Sequence, residues 1–193
     1  MKVNSFKSSD YLSMPWKNGQ GSTLQLACSH TDLNDFDWRI SVADVKHDGL
    51  FSFFENKLRM ISILHGNGLQ LKNLDSQQET FLSKNIIYKF SGNEPIQSTL
   101  LNGAIRDFNL IYKPERYHAE MTWHASPTTK LQVQNSKIFF IFNAGESALD
   151  IRLNQGFYTL EKYELLQIEQ SQDFAVEIIA TDLSNGLYCI QLS

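Results

Sequence analysis

The sequence predicts an all-β protein, and three observations indicate this fold class. From Phe36 to Val45 apolar side chains alternate with polar or small ones, the period of a strand with one buried face. Tight turns such as HDG at residues 47–49 and GNG at residues 66–68 separate short apolar runs, which is typical of an antiparallel meander. No stretch longer than a turn or two has the apolar spacing of a helix.

The predicted strands run through the whole chain. They cover residues 3–6, 23–28, 36–45, 50–54, 58–64, 69–74, 80–82, 86–90, 96–101 and 105–112, several segments within 137–170, and 174–180 and 186–192. Residues 14–21 (MPWKNGQG) are predicted to form a loop with specific turns, because Pro and two Gly set its backbone. Residues 113–129 are predicted to be an irregular connection.

A pattern of strands repeats at a fixed distance along the chain. Ile61 and Phe139 are 78 positions apart, and the same offset relates Leu82 to Leu160 and the lysines at 84 and 162. We infer a duplicated β unit. The expected domains are residues 1–112, which contain the candidate ligand pocket, and residues 113–193, with strands exchanged between the two.

Composition excludes several classes of function. The 193 residues carry a net charge of -4 with mixed signs and no Lys/Arg run, which argues against nucleic acid or an anionic membrane as partner. No apolar run approaches the roughly 20 residues of a membrane span, and the first residues lack the apolar core of a signal peptide. We therefore expect a cytoplasmic protein. Its two cysteines are expected to be small buried hydrophobic residues in a reducing compartment.

The sequence offers no familiar cofactor or catalytic motif. None of the five histidines forms the His-x-His pair with a following carboxylate that is typical of metal-binding β-barrels. A Gly-x-Ser-x-Gly elbow is absent, and the Gly-rich segments lack the flanking residues of nucleotide loops. We predict no metal, no cofactor and no catalytic residue.

A group of charged and amide side chains remains as a candidate site. Arg39 shares a strand face with Ser41 and Ala43, whose small side chains leave room above the strand. If other polar residues converge there, they form a positive pocket suited to a small carboxylate, because guanidinium binds carboxylate through two hydrogen bonds. Alternatively, Arg39 is solvated or paired with Asp37 or Asp107.

At these residues the chain resembles the HutD/Ves family of bacterial cupin-like proteins. The matching segments are PWKNG at 15–19, FDWRIS at 36–41, DG and FS at 48–52, and DFNL at 107–110. The resemblance implies a bicupin, two jelly-roll antiparallel β-barrels in one chain, associated with histidine utilisation or with stress and cold response. Where the family usually has Gly and Pro, this chain has Gln20 and Leu50.

The leading hypothesis is a metal-independent, regulatory bicupin that binds a small anionic metabolite such as a histidine-degradation intermediate. Its predicted ligand-binding residues are Trp16, Lys17, Asn18, Arg39, Ser41, Arg59, Asp107 and Asn109. Arg39 and Lys17 would hold the carboxylate, two asparagines would orient it and Trp16 would cover it. The alternatives are a cofactor-free isomerase or epimerase using Asp107 or His65 as general base, and a ligand-free interaction module that forms a homodimer through sheet edges.

Overall fold

The computed structural model describes residues 1–16, 21–30, 35–125, 128–154, 156–180 and 186–193. Within these ranges the chain is all-β, and the one helix is a single 3-10 turn at Ser8–Asp10. The chain divides into two compact units. We call Tyr11–Tyr117 the N-terminal unit, and Met1–Asp10 together with His118–Ser193 the C-terminal unit.

The strands are numbered in chain order. They are β1 (Lys2–Phe6), β2 (Leu12–Pro15), β3 (Gly21–Cys28), β4 (Trp38–Val45), β5 (Gly49–Leu50), β6 (Leu58–His65), β7 (Leu69–Asn73), β8 (Glu79–Leu82), β9 (Ile87–Ser91), β10 (Ile96–Leu100), β11 (Ile105–Tyr112), β12 (Ala119–His124), β13 (Thr128–Val133), β14 (Ile138–Asn143), β15 (Leu149–Leu153), β16 (Gly156–Leu160), β17 (Leu165–Glu169), β18 (Phe174–Ala180) and β19 (Leu187–Leu192).

The N-terminal unit consists of two antiparallel sheets around one core. The larger sheet has the order β2-β3-β4-β11-β6-β9 and the smaller β5-β10-β7-β8. Both sheets contribute to the core cluster, because Ile61 and Ile63 from β6 pack there with Leu69 and Leu71 from β7. Alternate side chains of each strand therefore face the space between the sheets.

The C-terminal unit has the same construction. Its sheets have the orders β1-β17-β14-β19-β12 and β13-β18-β15-β16. The space between them is filled by buried apolar side chains from both sheets, among them Phe139, Ile141, Ile151, Leu166 and Val176.

The two units repeat one topology. β4-β11-β6-β9 of the first corresponds to β12-β19-β14-β17 of the second, and β5-β10-β7-β8 corresponds to β13-β18-β15-β16. The 78-residue offset also relates two turns, since Asn85 and Tyr163 both have left-handed backbones with φ of 66° and 64°. The strand order therefore supports the duplication inferred from sequence.

Three segments differ from the sequence prediction. The expected strand 50–54 ends at Leu50, and residues 51–57 leave the ladder as an irregular loop. Residues 113–129, expected to be irregular, contain β12, whose Ala119 and Met121 are buried while the residues between and after them are exposed. β2 lies where a loop was expected.

The division into units also differs from the expected ranges 1–112 and 113–193. The observed boundary follows Tyr117, and the first ten residues belong to the C-terminal unit because β1 pairs with β17 along its full length, from Lys2 with Glu169 to Phe6 with Leu165.

Both cysteines are free thiols, Cys28 half-buried and Cys189 buried. Burial raises the pKa of both thiols above the ordinary value, although backbone hydrogen bonds and Arg39 oppose the shift at Cys28. Among the helices of the described residues, none has the length and apolar character needed to cross a membrane.

Candidate functional site

The N-terminal unit contains a cavity of about 450 Å³ on the inner face of its larger sheet. Strand pairing brings its polar lining together, since Asn109 lies opposite Ser41 while Ile111 lies opposite both Arg39 and Arg59. Residues two apart on a strand share a face, so β4, β6 and β11 present these side chains to the same space. The predicted face of Arg39, Ser41 and Ala43 therefore lines this cavity.

Both faces of β4 are covered, whereas the alternation predicted one buried face. Trp38, Ile40 and Val42 are buried on one side, and Ser41 and Ala43 are buried on the cavity side. The polar face is thus enclosed by the fold rather than open to water.

Arg39 is held in the cavity by aromatic rings. Its guanidinium carbon lies 4.9 Å from the ring centre of Phe36 and 5.0 Å from that of Phe54. Its Nε is buried without a hydrogen-bond partner. Burial lowers the pKa of Arg39, because desolvation disfavours the charged form.

Arg59 is more deeply buried, with 7% of its surface exposed. Its Nη1 donates to the backbone oxygen of Ser52 and its Nη2 to Oδ1 of Asn109, each at 3.3 Å, while Nε has no partner. Burial lowers the pKa of Arg59 to about 10, and the nearby charge of Arg39 adds to this shift while Asp107 opposes it.

Three rings surround the Arg59 guanidinium. Its central carbon lies 4.8 Å from the ring centre of Phe51, 5.0 Å from Phe90 and 5.4 Å from Phe54. Among the described residues, the ion pairs within 4.0 Å include neither Arg59 nor Arg39. The cavity therefore has two cationic groups that contact rings and amides without a directly paired carboxylate.

Asp107 is the acidic group of the cavity and is 2% exposed. Its Oδ1 accepts a hydrogen bond from Nδ2 of Asn109, so Asn109 links Asp107 to Arg59. Burial raises the pKa of Asp107 to about 7, even though Arg59, Asn109 and the backbone at Ala43 favour the charged form. Desolvation exceeds these interactions because none of the described cations forms an ion pair with the carboxylate.

Six of the eight predicted ligand-binding residues line this cavity: Trp16, Arg39, Ser41, Arg59, Asp107 and Asn109. Trp16 is half-buried, and its Nε1 donates to Oγ1 of Thr23 at 2.9 Å. Lys17 and Asn18, and also Gln20, lie outside the described residues. Leu50, the other departure from the family pattern, lines the cavity and is 61% exposed.

Sequence reasoning missed the aromatic wall of the site. Phe51 and Phe54 were assigned to a strand, but they lie in the loop after β5 and contact the arginines. Thr23, His47 and Ser98 also line the cavity and were not predicted. The signal available in the sequence was the run FSFF followed by Glu and Asn, which breaks the period of two.

Two alternatives for individual residues are settled by the geometry. Asp37 pairs with Lys113 at 3.1 Å and Arg116 at 3.0 Å rather than with Arg39. His65 is exposed and does not line the cavity, whereas His47 does. Within the ranges that the structure describes, no group of three or more His, Cys, Asp or Glu could hold a metal ion.

The paired antiparallel sheets around a lined cavity define the cupin-like class of β proteins. A cupin 2 conserved barrel domain protein from Leptotrichia buccalis has this fold in common with the chain, with a TM-score of 0.56 at 9% identity over 90% of this chain and 89% of that one. The chain belongs to the HutD family, whose sequence model matches residues 8–183.

Similar proteins cover from two thirds to nearly all of the chain. An uncharacterized 21.2 kDa protein in the hutC 3' region of Pseudomonas putida is 36% identical over 95% of this chain and 93% of its own length. Protein Ves of Citrobacter koseri is 28% identical over 67% of this chain and 68% of its own length. The family therefore includes relatives named for the histidine-utilisation region and for Ves.

Two solved structures match the fold of this chain along their full length. A conserved protein of unknown function from Pseudomonas aeruginosa has a TM-score of 0.93 at 32% identity, with 100% of each chain covered. HutD from Pseudomonas fluorescens, described for a formate condition, has a TM-score of 0.82 at 28% identity, again with 100% of each chain covered.

Proposed function

We propose that this protein binds a small carboxylate in the cavity of its N-terminal unit, without a metal ion, and has a regulatory role in histidine utilisation or stress response. The ligand would be a small anionic metabolite, such as a histidine-degradation intermediate. The proposed binding residues are the six predicted ones that line the cavity, together with Lys17 and Asn18: Trp16, Arg39, Ser41, Arg59, Asp107 and Asn109. We further propose that the two units are two cupin barrels, since they repeat one strand order.

The observation that carries the proposal is the pair of guanidinium groups that have no carboxylate partner among the described residues. Burying an unpaired charge costs several kcal/mol. An anion that enters the cavity and pairs with the guanidinium groups would offset part of this cost. None of the described residues accepts a hydrogen bond from the Arg39 guanidinium, and its Nε is buried. Its planar donor fork is therefore available to a carboxylate.

The size and lining of the cavity favour more than a bare anion. About 450 Å³ falls in the range of small-molecule pockets. Phe51, Phe54 and Trp16 supply apolar surface for the body of a ligand, and Asn109 and Ser41 supply hydrogen-bonding groups. The P. fluorescens HutD structure is described for a formate condition, and formate, the smallest carboxylate, is therefore one of the ligands to test.

A thermal-shift titration of EDTA-treated protein tests the proposal. The ligands are urocanate, N-formylglutamate, formiminoglutamate, glutamate and formate. A hundredfold excess over the dissociation constant should stabilise the folded protein by about 2.7 kcal/mol. Arg39→Ala should remain folded and lose the shift. Arg152→Ala is the matched control, because Arg152 also lies over a ring, that of Phe157, but in the C-terminal unit.

The proposal is wrong if none of these anions stabilises the wild-type protein, or if Arg39→Ala binds as tightly as the wild type. In the first case the interaction module becomes the better hypothesis. Size-exclusion chromatography with light scattering would then test the homodimer.

A second candidate function is a cofactor-free isomerase or epimerase. The observation in its favour is the pKa of Asp107, which burial raises to about 7, near the value expected of a general acid or base. Turnover of a bound carboxylate by the metal-stripped protein, and its loss in Asp107→Asn with binding retained, would support an enzyme. Binding without turnover would favour the regulatory role.

A further inference from the structure

We propose that Phe54 is a positioning residue of the carboxylate site, whose ring holds the guanidinium groups of both Arg39 and Arg59 at the cavity without neutralising them. The inference rests on the function proposed above. It concerns how two like charges are kept together in the cavity before any ligand arrives.

Phe54 is the ring that the two arginines share. The guanidinium carbon of Arg39 lies 5.0 Å from its centre and that of Arg59 lies 5.4 Å from it. Both distances are within the approximately 6 Å at which a ring attracts a cation. The face of the ring is negative, so one side chain offsets part of the repulsion between two cations.

A second ring, Phe36, lies beside Phe54 and also contacts cations. Phe54 packs against Phe36 with the ring centres 6.1 Å apart and the planes at 62°, an edge contact. Phe36 in turn contacts Arg39 at 4.9 Å and Lys57 at 4.9 Å. Two aromatic residues therefore contact three cations between the surface and the cavity.

Aromatic rings hold the two arginines at the cavity and leave their charge available to a ligand, which acidic residues would not do. A carboxylate beside each arginine would neutralise its charge and occupy its donor fork, leaving little for a ligand. A ring attracts the cation without accepting hydrogen bonds at the donor fork. The buried Nε atoms of Arg39 and Arg59 have no hydrogen-bond partner among the described residues.

The backbone fixes Phe54 through Gly92. The amide of Phe54 donates to the oxygen of Gly92 at 2.9 Å, and the amide of Gly92 donates to the oxygen of Lys57 at 2.8 Å. A Cβ atom at position 92 would lie 2.3 Å from the oxygen of Phe54. The loop can thus approach this closely because residue 92 is glycine.

The test compares Phe54→Leu, Phe54→Tyr and Phe53→Leu in calorimetric titrations with sodium formate. Leucine keeps apolar volume but has no ring, so we expect about tenfold weaker binding. Tyrosine keeps the ring and should restore wild-type affinity. Phe53 is the matched control, since it is the next residue of the same loop and is 61% exposed.

A second readout does not depend on the ligand. The Nε–H signals of Arg39 and Arg59 in ¹⁵N-edited NMR spectra, assigned with Arg39→Ala and Arg59→Met, should be displaced by the ring current of Phe54. Phe54→Leu should move both signals, and Phe53→Leu should move neither.

Wild-type affinity for formate in Phe54→Leu would overturn the inference. If the wild-type protein does not bind formate, the proposed function fails, and the arginine signals alone test Phe54. In that case, unmoved signals in Phe54→Leu overturn the positioning role, and moved signals support it.

Discussion

The two units share a strand order but differ in what fills them. The C-terminal unit is packed with apolar side chains, whereas the N-terminal unit contains a cavity with two arginines and an aspartate. Asp107 pairs with Ile63 across the sheet, and Ile141, which lies 78 residues after Ile63, pairs with Cys189. Asp107 therefore corresponds to Cys189, which belongs to the apolar core. One topology thus supports an apolar core in one unit and, in the other, an apolar core beside a polar cavity.

The difference begins with one strand. β13 pairs with β18 over six residues, from Thr128 to Val133, but its counterpart β5 pairs with β10 over only two. Residues 51–57, which leave the sheet, bring Phe51 and Phe54 to the arginines. The comparison teaches that shortening an edge strand converts part of a ladder into the wall of a site.

The largest expected effect is a loss of stability on mutation of the core of the C-terminal unit. Ile151→Ala should lower the free energy of unfolding by about 2–5 kcal/mol, because the side chain is fully buried and the substitution leaves a void. Ile111→Ala, beside the existing cavity, should cost about 1–2 kcal/mol, since water can occupy the new space. Urea unfolding measures both. Equal losses would show that the two interiors do not differ energetically.

The second effect separates binding from stability. Arg59→Met should weaken formate binding by about a hundredfold, or about 2.7 kcal/mol, while the ligand-free protein keeps or gains stability because an unpaired buried charge is removed. Lys137→Met is the control, since Lys137 holds the corresponding position in the C-terminal unit and is exposed. Calorimetry and urea unfolding should show no change there. A marked loss of stability in Arg59→Met would contradict the unpaired-charge argument.

The third effect is a dependence of binding on pH. The pKa of Asp107 is raised to about 7, first by burial and also by Asp44, so its carboxyl is neutral at pH 6 and charged at pH 8. Formate should bind about tenfold more tightly at pH 6, where the cavity has a larger positive charge. Asp107→Asn should remove this dependence in calorimetric titrations. A pH dependence that persists in the variant would point to a titratable group other than Asp107.

The same shift sets the sign of a stability effect. Because the folded protein holds the Asp107 proton more tightly than the unfolded chain does, the contribution of Asp107 to the free energy of unfolding decreases as pH rises from about 4 to about 7. Asp107→Asn removes this decrease, so the slope of the free energy of unfolding against pH should be less negative, or more positive, in the variant than in the wild type over this window.

The smallest effect concerns the loop that forms the wall. Gly92→Ala places a Cβ atom 2.3 Å from the oxygen of Phe54, so the loop must move and formate affinity should fall by about threefold to tenfold. At Gly156 in the C-terminal unit the atoms nearest to an added Cβ belong to Tyr158 and lie at ordinary contact distance, so Gly156→Ala should leave affinity unchanged. Unaltered binding in Gly92→Ala would mean that the loop adapts.

Much of the site could be predicted from the period of the strands. Arg39, Ser41 and Ala43 share a face because they are two residues apart, and the same rule joins Asp107 to Asn109. The expected strand at 50–54 was wrong beyond Leu50 because aromatic residues favour strands, yet here they contact guanidinium groups instead of continuing the ladder. β12 was missed because histidines and nearby prolines outweighed a short alternation.

The sequence by itself determined the all-β class, the repeated unit and the set of side chains on each strand face, because alternation is a property of the local backbone. Only the tertiary structure decided which cations lack an acidic partner. Asp37 could have paired with Arg39 but pairs with Lys113 and Arg116 instead. Such pairings join residues far apart in the chain, and they depend on how sheets and loops pack rather than on any spacing along the sequence.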